Sequence, residues 1–223
     1  MKRGNMHHRS LHAYTPGEEA WNAISHGIGA VLSIPATVLC LFRVASHENT
    51  YGMIAAAIYG FSLLAVFAVS CIYHGLKPCF AKTILRIIDH CTIYLLIAGS
   101  YTVIVLSAIR PAFSALGWGL FFFEWVMGAV AICLTAIDLE KYSLFSMLCY
   151  VGMGWAVIPF WRQVLQVMGH AGFLLLLSGG IAYTIGAVLY GIGKRRKWMH
   201  SIFHLFVLLG ALLQFFSIIG YAL

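Results

Sequence analysis

The stretch K-R-R-K-W-M-H-S-I-F-H, residues 194–204, joins the last two long apolar segments of this chain. Four consecutive cations resist entry into hydrocarbon, so they end one membrane crossing and hold the start of the next at the membrane edge. His200 and His204 follow them, and a spacing of four places both imidazoles on one face of a helix. The stretch therefore predicts a final membrane-spanning helix that carries two histidines just inside its charged end.

The whole chain has the composition of an integral membrane protein. Of its 223 residues, 61% are hydrophobic and 9% are charged. That leaves too few polar residues to cover a soluble surface. We expect a basic cytoplasmic tail over residues 1–17 and one all-α membrane domain over residues 18–223. The tail lacks the apolar core of a cleaved signal peptide, so the first spanning helix is expected to direct insertion.

Seven apolar segments each have about the length that a helix needs to cross a bilayer, roughly 20 residues. Loop-forming residues separate them at Lys77-Pro78, Arg110-Pro111, 138–141 and 193–197. The sequence predicts a seven-transmembrane helix bundle. The predicted spans are 22–44, 51–73, 86–108, 112–134, 143–161, 171–193 and 200–222.

The distribution of cations predicts the orientation of this bundle. Cytoplasmic loops are enriched in lysine and arginine, and eleven of the fourteen such residues fall on one predicted side. The N-terminus is therefore expected in the cytoplasm and the C-terminus outside. The net charge of +7 is explained by topology, so no nucleic-acid partner is expected. The eleven are Lys2, Arg3, Arg9, Lys77, Lys82, Arg86, Lys141, Lys194, Arg195, Arg196 and Lys197.

Polar side chains collect at one depth, near the predicted cytoplasmic ends of four helices. Ionisable groups are costly in hydrocarbon, so each one near a span is a candidate functional residue. Span two ends in S-C-I-Y-H (70–74), and span three begins with Asp89 and His90. Spans one and seven begin with N-A-I-S-H (22–26) and H-S-I-F-H (200–204).

The spacing of the histidines indicates a metal site. His200 and His204 repeat the i, i+4 arrangement of paired histidine ligands in helical zinc sites. His74 is our candidate for a third ligand, and three imidazoles with one position left open are the ligand set of a catalytic zinc. Asp89 would then orient the attacking water or take its proton, as metal-assisted hydrolysis requires.

Other interpretations stay open at this point. A single interfacial histidine is commonly an amphipathic residue with its polar tip among the headgroups, and carboxylates with imidazoles also form proton relays. Haem ligation is disfavoured because no second histidine pair lies deeper in the membrane. His26 and His90 receive no role. Glu124, in the middle of the fourth span, should be protonated, hydrogen-bonded or facing a cavity, and is also unassigned.

These residues resemble the motifs of the haemolysin III family, the bacterial branch of the progestin and adipoQ receptor superfamily. The resemblance covers nearly the whole chain from Glu18 onward. Its motifs here are E-E-A-W-N-A-I-S-H-G-I-G (18–29), S-C-I-Y-H (70–74), D-H-C-T-I-Y-L-L-I-A-G-S-Y-T (89–102) and H-S-I-F-H (200–204).

The resemblance implies a seven-helix fold in a bacterial inner membrane, with zinc held by His74, His200 and His204. It implies that Asp89 holds a water at the metal and that Ser70 hydrogen-bonds that water or a substrate carbonyl. Alkaline ceramidases carry a similar residue set, which favours hydrolysis of a membrane-lipid amide or ester. Two other readings are a non-enzymatic sensor of membrane state with structural zinc, and a membrane-lytic, pore-forming protein.

Overall fold

The computed structural model describes residues 14–46, 50–193 and 196–223, and every regular element in these ranges is helical. Most of the predicted basic tail, with Lys194 and Arg195, lies outside them. Short π-helices cover Ile104–Ile109 and Ile218–Ala222, and a 3-10 turn covers Ile158–Phe160. The α-helices are α1 (Pro16–Ala45), α2 (Thr50–Gly75), α3 (Phe80–Val103), α4 (Arg110–Ala112), α5 (Ser114–Ile137), α6 (Ser143–Gly154), α7 (Trp161–Gly193) and α8 (Met199–Ser217).

Six helical segments of the described chain are long and apolar enough to cross a membrane. Large apolar side chains cover their outer surfaces; Ile24, Phe42 and Phe61 are 60%, 72% and 69% exposed. Such a surface is stable against lipid rather than water. The chain is a multi-pass membrane protein. The six segments are Pro16–Ala45, Tyr51–Gly75, Phe80–Ala112, Ser114–Ile137, Ser143–Ile192 and Met199–Ala222.

The segment Ser143–Ile192 is 50 residues long and folds back on itself. The Trp155 indole N–H donates to the Thr184 hydroxyl at 2.9 Å, although 29 helical residues laid end to end would span roughly 43 Å. Met147 likewise packs against Gly191. In the sequence, the midpoint of each pair lies at or next to Gly169. The φ of 67° and ψ of 175° at this glycine interrupt the helix. The chain therefore reverses direction at this glycine, the residue type that tolerates such a conformation.

The first helix begins earlier than the sequence predicts, at Pro16 rather than residue 22. Thr15 forms a capping box: its Oγ1 accepts from the Glu18 N–H at 3.3 Å, and the Glu18 carboxylate accepts from the Thr15 N–H at 2.9 Å. This cap satisfies amide groups that otherwise lack partners, and Pro16 suits the first turn because it has no N–H to satisfy. The early start brings Glu18 and Glu19 into the helix.

The loop predicted at Arg110-Pro111 is wrong, because the chain stays helical there. The π-helix Ile104–Ile109 leads directly into α4, so Pro111 lies in the last turn of one continuous helical segment that ends at Ala112. The break lies at Phe113, with φ −134° and ψ 72°. The loops predicted at Lys77-Pro78 and at 138–141 are confirmed, between α2 and α3 and between α5 and α6.

One end of the bundle gathers four helix termini. Hydrogen bonds and ring contacts join the beginnings of α1, α3 and α8 to the end of α2. Close packing of α7 on α8 fixes the position of the last helix. A Cβ on Gly210 would lie 2.8 Å from the Tyr183 ring, so only glycine permits this approach. The candidate site occupies this end.

A candidate metal centre at one end of the bundle

Three imidazoles converge between α2 and α8. The Nε2 atom of His200 lies 3.4 Å from Nε2 of His74 and 3.1 Å from Nε2 of His204. One ligating nitrogen of each lies within 4.8 Å of those of the other two, and all three side chains are buried. The predicted set of His74, His200 and His204 is thus brought together. The i, i+4 spacing in α8 places His200 and His204 on one face of that helix.

The spacing of these nitrogens suits a small metal ion. Metal–nitrogen bonds of about 2.0–2.1 Å in a tetrahedron place neighbouring ligand atoms roughly 3.3–3.4 Å apart. The two Nε2–Nε2 distances of 3.4 and 3.1 Å lie close to that value. Three neutral imidazoles also make a donor set that zinc accepts readily. The group could therefore hold a metal ion.

A carboxylate orients the first of these histidines. Oε2 of Glu19 lies 2.6 Å from Nδ1 of His74, and Oε1 accepts from the Lys82 ammonium at 2.7 Å. Lys82 also donates to the Leu76 carbonyl at 2.8 Å. When Nδ1 carries the proton that Glu19 accepts, the Nε2 lone pair of His74 faces His200 and His204. Carboxylate–histidine pairs of this kind fix the tautomer of metal ligands.

The two predicted catalytic residues lie beside each other. Ser70 is one helical turn before His74 on α2, and its hydroxyl lies near the Asp89 carboxylate of α3 and interacts with it. Asp89 interacts electrostatically with His74 and with His90, whose Nδ1 is 3.8 Å from the Asp89 Oδ2. Both side chains line the same cavity as His200 and His204. The arrangement puts a hydroxyl donor and a proton acceptor next to the imidazole group.

Tyr14 covers the imidazole group from the N-terminal side. Its ring stacks on His200 with a centroid distance of 4.8 Å and an interplanar angle of 22°. Burial, reinforced by Tyr73, Tyr190 and Asp89, raises the pKa of the Tyr14 phenol well above its ordinary value. Tyr14 therefore stays a neutral phenol that can donate a hydrogen bond.

The start of α8 is tied to the start of α1. The Trp198 N–H donates to Oε1 of Glu18 at 2.6 Å. Trp198 adopts a left-handed conformation, with φ 64°, immediately before α8 begins. Because His200 follows two residues later, the Glu18 carboxylate helps to set the position of the first ligand on that helix.

The two histidines without a predicted role have different surroundings. His26 of α1 is buried and stacks on His204, with ring centroids 3.7 Å apart. His90 uses both ring nitrogens elsewhere: Nδ1 lies 2.8 Å from the Arg86 carbonyl and Nε2 lies 3.0 Å from the Tyr190 hydroxyl. His90 is therefore a hydrogen-bonded structural residue, whereas the His26 ring packs against a candidate ligand.

A cavity of about 490 Å³ adjoins the imidazole group and extends between the helices. Ser70, Asp89, His200 and His204 line one end. Its wall continues past Ile97 and Val207 to Gln214, ten residues beyond His204 on α8. Ten helical residues rise about 15 Å. The cavity thus combines a few polar groups at one end with a long apolar channel, as ligand sites commonly do.

Glu124 lies apart from this site. It is 0% exposed on α5, and neither carboxylate oxygen has a hydrogen-bond partner in the described part of the chain. Glu124 does not line the cavity.

Sequence reasoning missed Glu19, Lys82 and Tyr14. A signal for Glu19 exists, because Glu19, Asn22 and His26 recur at helical spacing on one face of α1. The pattern T-P-G-E (15–18) is likewise a capping-box signature that marks the true helix start. Tyr14 lies before the helix, where periodicity carries no information.

Comparison with known proteins places the chain in a family. A family model described as haemolysin-III related matches residues 14–215. The chain belongs to the haemolysin III family. The match begins at Tyr14, which covers His200, and includes His74, His200 and His204. The resemblance seen in the sequence motifs is confirmed.

Relatives within and beyond bacteria match along nearly the whole haemolysin III chain. Hemolysin-3 of Bacillus cereus is 35% identical over 206 residues, 92% of each chain. The Hemolysin-3 homolog of Bacillus subtilis (strain 168) is 36% identical over 208 residues, 93% of this chain and 96% of the homolog. Monocyte to macrophage differentiation factor of Homo sapiens is 29% identical over 212 residues, 92% of this chain and 84% of the human protein. No solved structure matches the chain.

Proposed function

We propose that this haemolysin III protein is a zinc-dependent hydrolase that cleaves an amide or ester bond of a membrane lipid. One observation carries the proposal: three buried imidazole nitrogens converge beside the Ser70–Asp89 pair, on the wall of a cavity of about 490 Å³. Three imidazoles with an open position form the ligand set of catalytic rather than structural zinc sites.

His74, His200 and His204 would hold the metal through their Nε2 atoms. Zinc, when bound, supplies a Lewis acid that polarises a carbonyl oxygen and lowers the pKa of water toward neutrality. Glu19 keeps the His74 ring in the tautomer that offers Nε2 to the centre. Tyr14 and His26 stack on His200 and His204, which restricts the entry of bulk water.

Asp89 is the general base in this proposal. Its carboxylate lies at the metal end of the cavity, next to the Ser70 hydroxyl. Asp89 would take a proton from the attacking water and deliver it to the leaving amine or alcohol. The Ser70 hydroxyl is placed to hydrogen-bond the water or the substrate carbonyl.

A membrane lipid is the substrate class that fits these surroundings. The cavity wall beyond Asp89 is largely apolar, including Ile93, Ile97 and Val207. An acyl chain buried there would leave its carbonyl at the polar end, next to the imidazoles.

The same proposal includes seven membrane crossings, with the N-terminus in the cytoplasm of a bacterium and the C-terminus outside. The reversal at Gly169 supports it, because 50 residues folded back at their centre supply two crossings. Single cysteines introduced at Ser46 and at Arg196 of a cysteine-free variant test the orientation. An impermeant maleimide applied to intact cells should label the first and spare the second; the reverse pattern rejects it.

Hydrolysis is tested with purified protein on a panel of lipid amides and esters. We expect release of fatty acid that requires zinc and is abolished in Asp89→Asn, while Asp89→Asn keeps its zinc. Zinc bound stoichiometrically with no hydrolysis of any panel member would favour a structural metal in a non-enzymatic sensor. Purified protein that binds no zinc would reject the metal centre itself.

Membrane lysis is the second candidate, favoured by the names of the two Bacillus relatives. Lysis requires that the protein permeabilise a target bilayer. Release of an entrapped dye from liposomes measures it directly. Release that persists in His200→Ala would support a lytic activity independent of the metal centre.

A further inference from the structure

Arg86 is the sole lysine or arginine among the described residues that line the cavity. It lies three residues before Asp89 on α3, which is a rise of about 4.5 Å. Its side chain is 18% exposed, so the guanidinium is mostly enclosed by protein. The Arg86 side chain thus supplies a positive charge to the cavity wall close to Asp89.

Three tyrosines of the cavity wall lie within electrostatic range of this cation. Tyr14, Tyr73 and Tyr190 each interact electrostatically with both Arg86 and Asp89, and all three line the cavity. Tyr14 and Tyr190 also contact the His200 ring, at centroid distances of 4.8 and 5.7 Å. Tyr14 therefore lies at the metal end of the cavity, and Tyr14 and Tyr73 carry phenols within electrostatic range of Arg86. The Tyr190 hydroxyl is already engaged with His90 Nε2 at 3.0 Å.

Glu140 forms a long ion pair with Arg86. Oε1 of Glu140 lies 3.6 Å from the Arg86 Nη1, and the Glu140 side chain is 56% exposed. An ion pair this long and this exposed contributes little, because water competes for both partners. A better-placed anion can replace it. Glu140 also lines the cavity, so it would compete with such an anion for the same guanidinium.

We propose that Arg86, with the phenols of Tyr14 and Tyr73, binds the anionic headgroup of an amphiphile whose acyl chain lies in the cavity. The headgroup would carry a carboxylate or a phosphate, the groups that a guanidinium recognises with two parallel hydrogen bonds. The inference rests on the proposed function for the position of the scissile bond, which lies at the imidazoles. It narrows the substrate class to lipids with a negatively charged head.

Arg86 also counts among the cations that predict topology, and a purely topological role requires only a charge at the membrane edge. Lys141 meets that requirement without lining the cavity: it is exposed and lies over its neighbour Tyr142 at 5.3 Å. Arg86 differs because it is enclosed and lies one turn from Asp89. Lys141 is therefore the matched control.

The test compares two amphiphiles of nearly equal size, N-oleoylglycine with a carboxylate head and N-oleoylethanolamine with a neutral one. Binding to detergent-solubilised full-length protein is measured by thermophoresis, with the ligand recovered intact afterwards. We expect Arg86→Gln to weaken N-oleoylglycine roughly ten-fold or more, as the loss of a charged hydrogen bond should. Glu140→Gln should strengthen it, since a competing carboxylate is removed. N-oleoylethanolamine and Lys141→Gln should show no change.

Equal effects of Arg86→Gln on the two amphiphiles, or no effect on either, would overturn the proposal. Displacement of N-oleoylglycine by millimolar inorganic phosphate alone would show a free-anion site and also overturn it. Arg86→Lys keeps the charge, and Glu140→Gln changes an exposed residue, so these variants keep the test decisive if Arg86→Gln does not fold. Binding needs no bond cleavage, so a failure of hydrolysis would leave this result unaffected.

Discussion

Glu19 and His74 lie 55 residues apart in the chain, and Oε2 of Glu19 is 2.6 Å from Nδ1 of His74. The same carboxylate holds Lys82 through its other oxygen, so one acid links α1, α2 and α3. The His74 side chain is fully buried, so water cannot replace the carboxylate as a partner of Nδ1. The position of one candidate metal ligand thus depends on a residue that need not touch the metal.

Glu19→Gln should weaken zinc binding roughly 10–100-fold, the usual cost of removing a carboxylate that supports a histidine ligand. The amide keeps the size of the side chain but loses the charge that favours a proton on Nδ1. Competition with a chromogenic chelator measures the affinity. Glu140→Gln, at the same end of the bundle, is the control and should retain wild-type zinc affinity. Unchanged affinity in Glu19→Gln would show that the contact has no part in metal binding.

His200→Ala and His204→Ala should each abolish stoichiometric zinc binding, because two imidazoles rarely hold zinc in competition with water. Metal content is measured by mass spectrometry of purified protein. His170→Ala serves as the control, since His170 is exposed and lies next to the reversal at Gly169. Zinc that stays bound in both α8 variants would place the metal elsewhere in the protein.

The sequence predicted the His74, His200 and His204 group because its signals are local. An i, i+4 pair survives any change in helix boundaries, and a shared depth follows from the charged helix ends. The positions of the apolar segments were predictable for the same reason, since bilayer thickness sets the segment length. These features need no knowledge of which helix packs against which.

Other features depend on contacts between distant residues, which composition and spacing do not record. Glu19 reaches His74 only because α1 packs beside α2, and Tyr14 reaches His200 only because the chain before α1 crosses the end of α8. The helix through Arg110-Pro111 was mispredicted because the π-helix continues into α4 and the chain breaks only at Phe113. In a sequence, a proline by itself indicates the end of a helix.

Tyr14→Ala should increase the rate of zinc loss, because the Tyr14 ring covers His200 and shields it from water. Tyr14→Phe keeps the stacked ring and should release zinc at the wild-type rate. Transfer of zinc to excess chelator, followed over time, measures both. Equal rates in wild type and Tyr14→Ala would mean that the ring does not limit access to the imidazoles.

Gly169→Ala should destabilise the protein by about 1–3 kcal/mol, because a side chain is strained at the φ of 67° and ψ of 175° observed there. Gly152→Ala is the matched control, in α6 with no atom within 4 Å of an added Cβ. Alanine in that helix should be neutral or stabilising. Thermal unfolding in detergent compares the two. A Gly169→Ala midpoint at or above that of Gly152→Ala would contradict the reversal at this residue.

Glu124→Met should stabilise the protein by about 1–3 kcal/mol, because it removes a fully buried carboxyl group whose oxygens have no hydrogen-bond partner in the described chain. Methionine fills a similar volume and adapts to an irregular site. Thermal unfolding in detergent measures the gain, and zinc content should not change, since Glu124 lies outside the cavity wall. Glu124→Gln keeps the polar atoms and should give a smaller gain or none. A lower unfolding midpoint in Glu124→Met, with wild-type behaviour in Glu124→Gln, would show that the polar group has a partner and a role within the membrane.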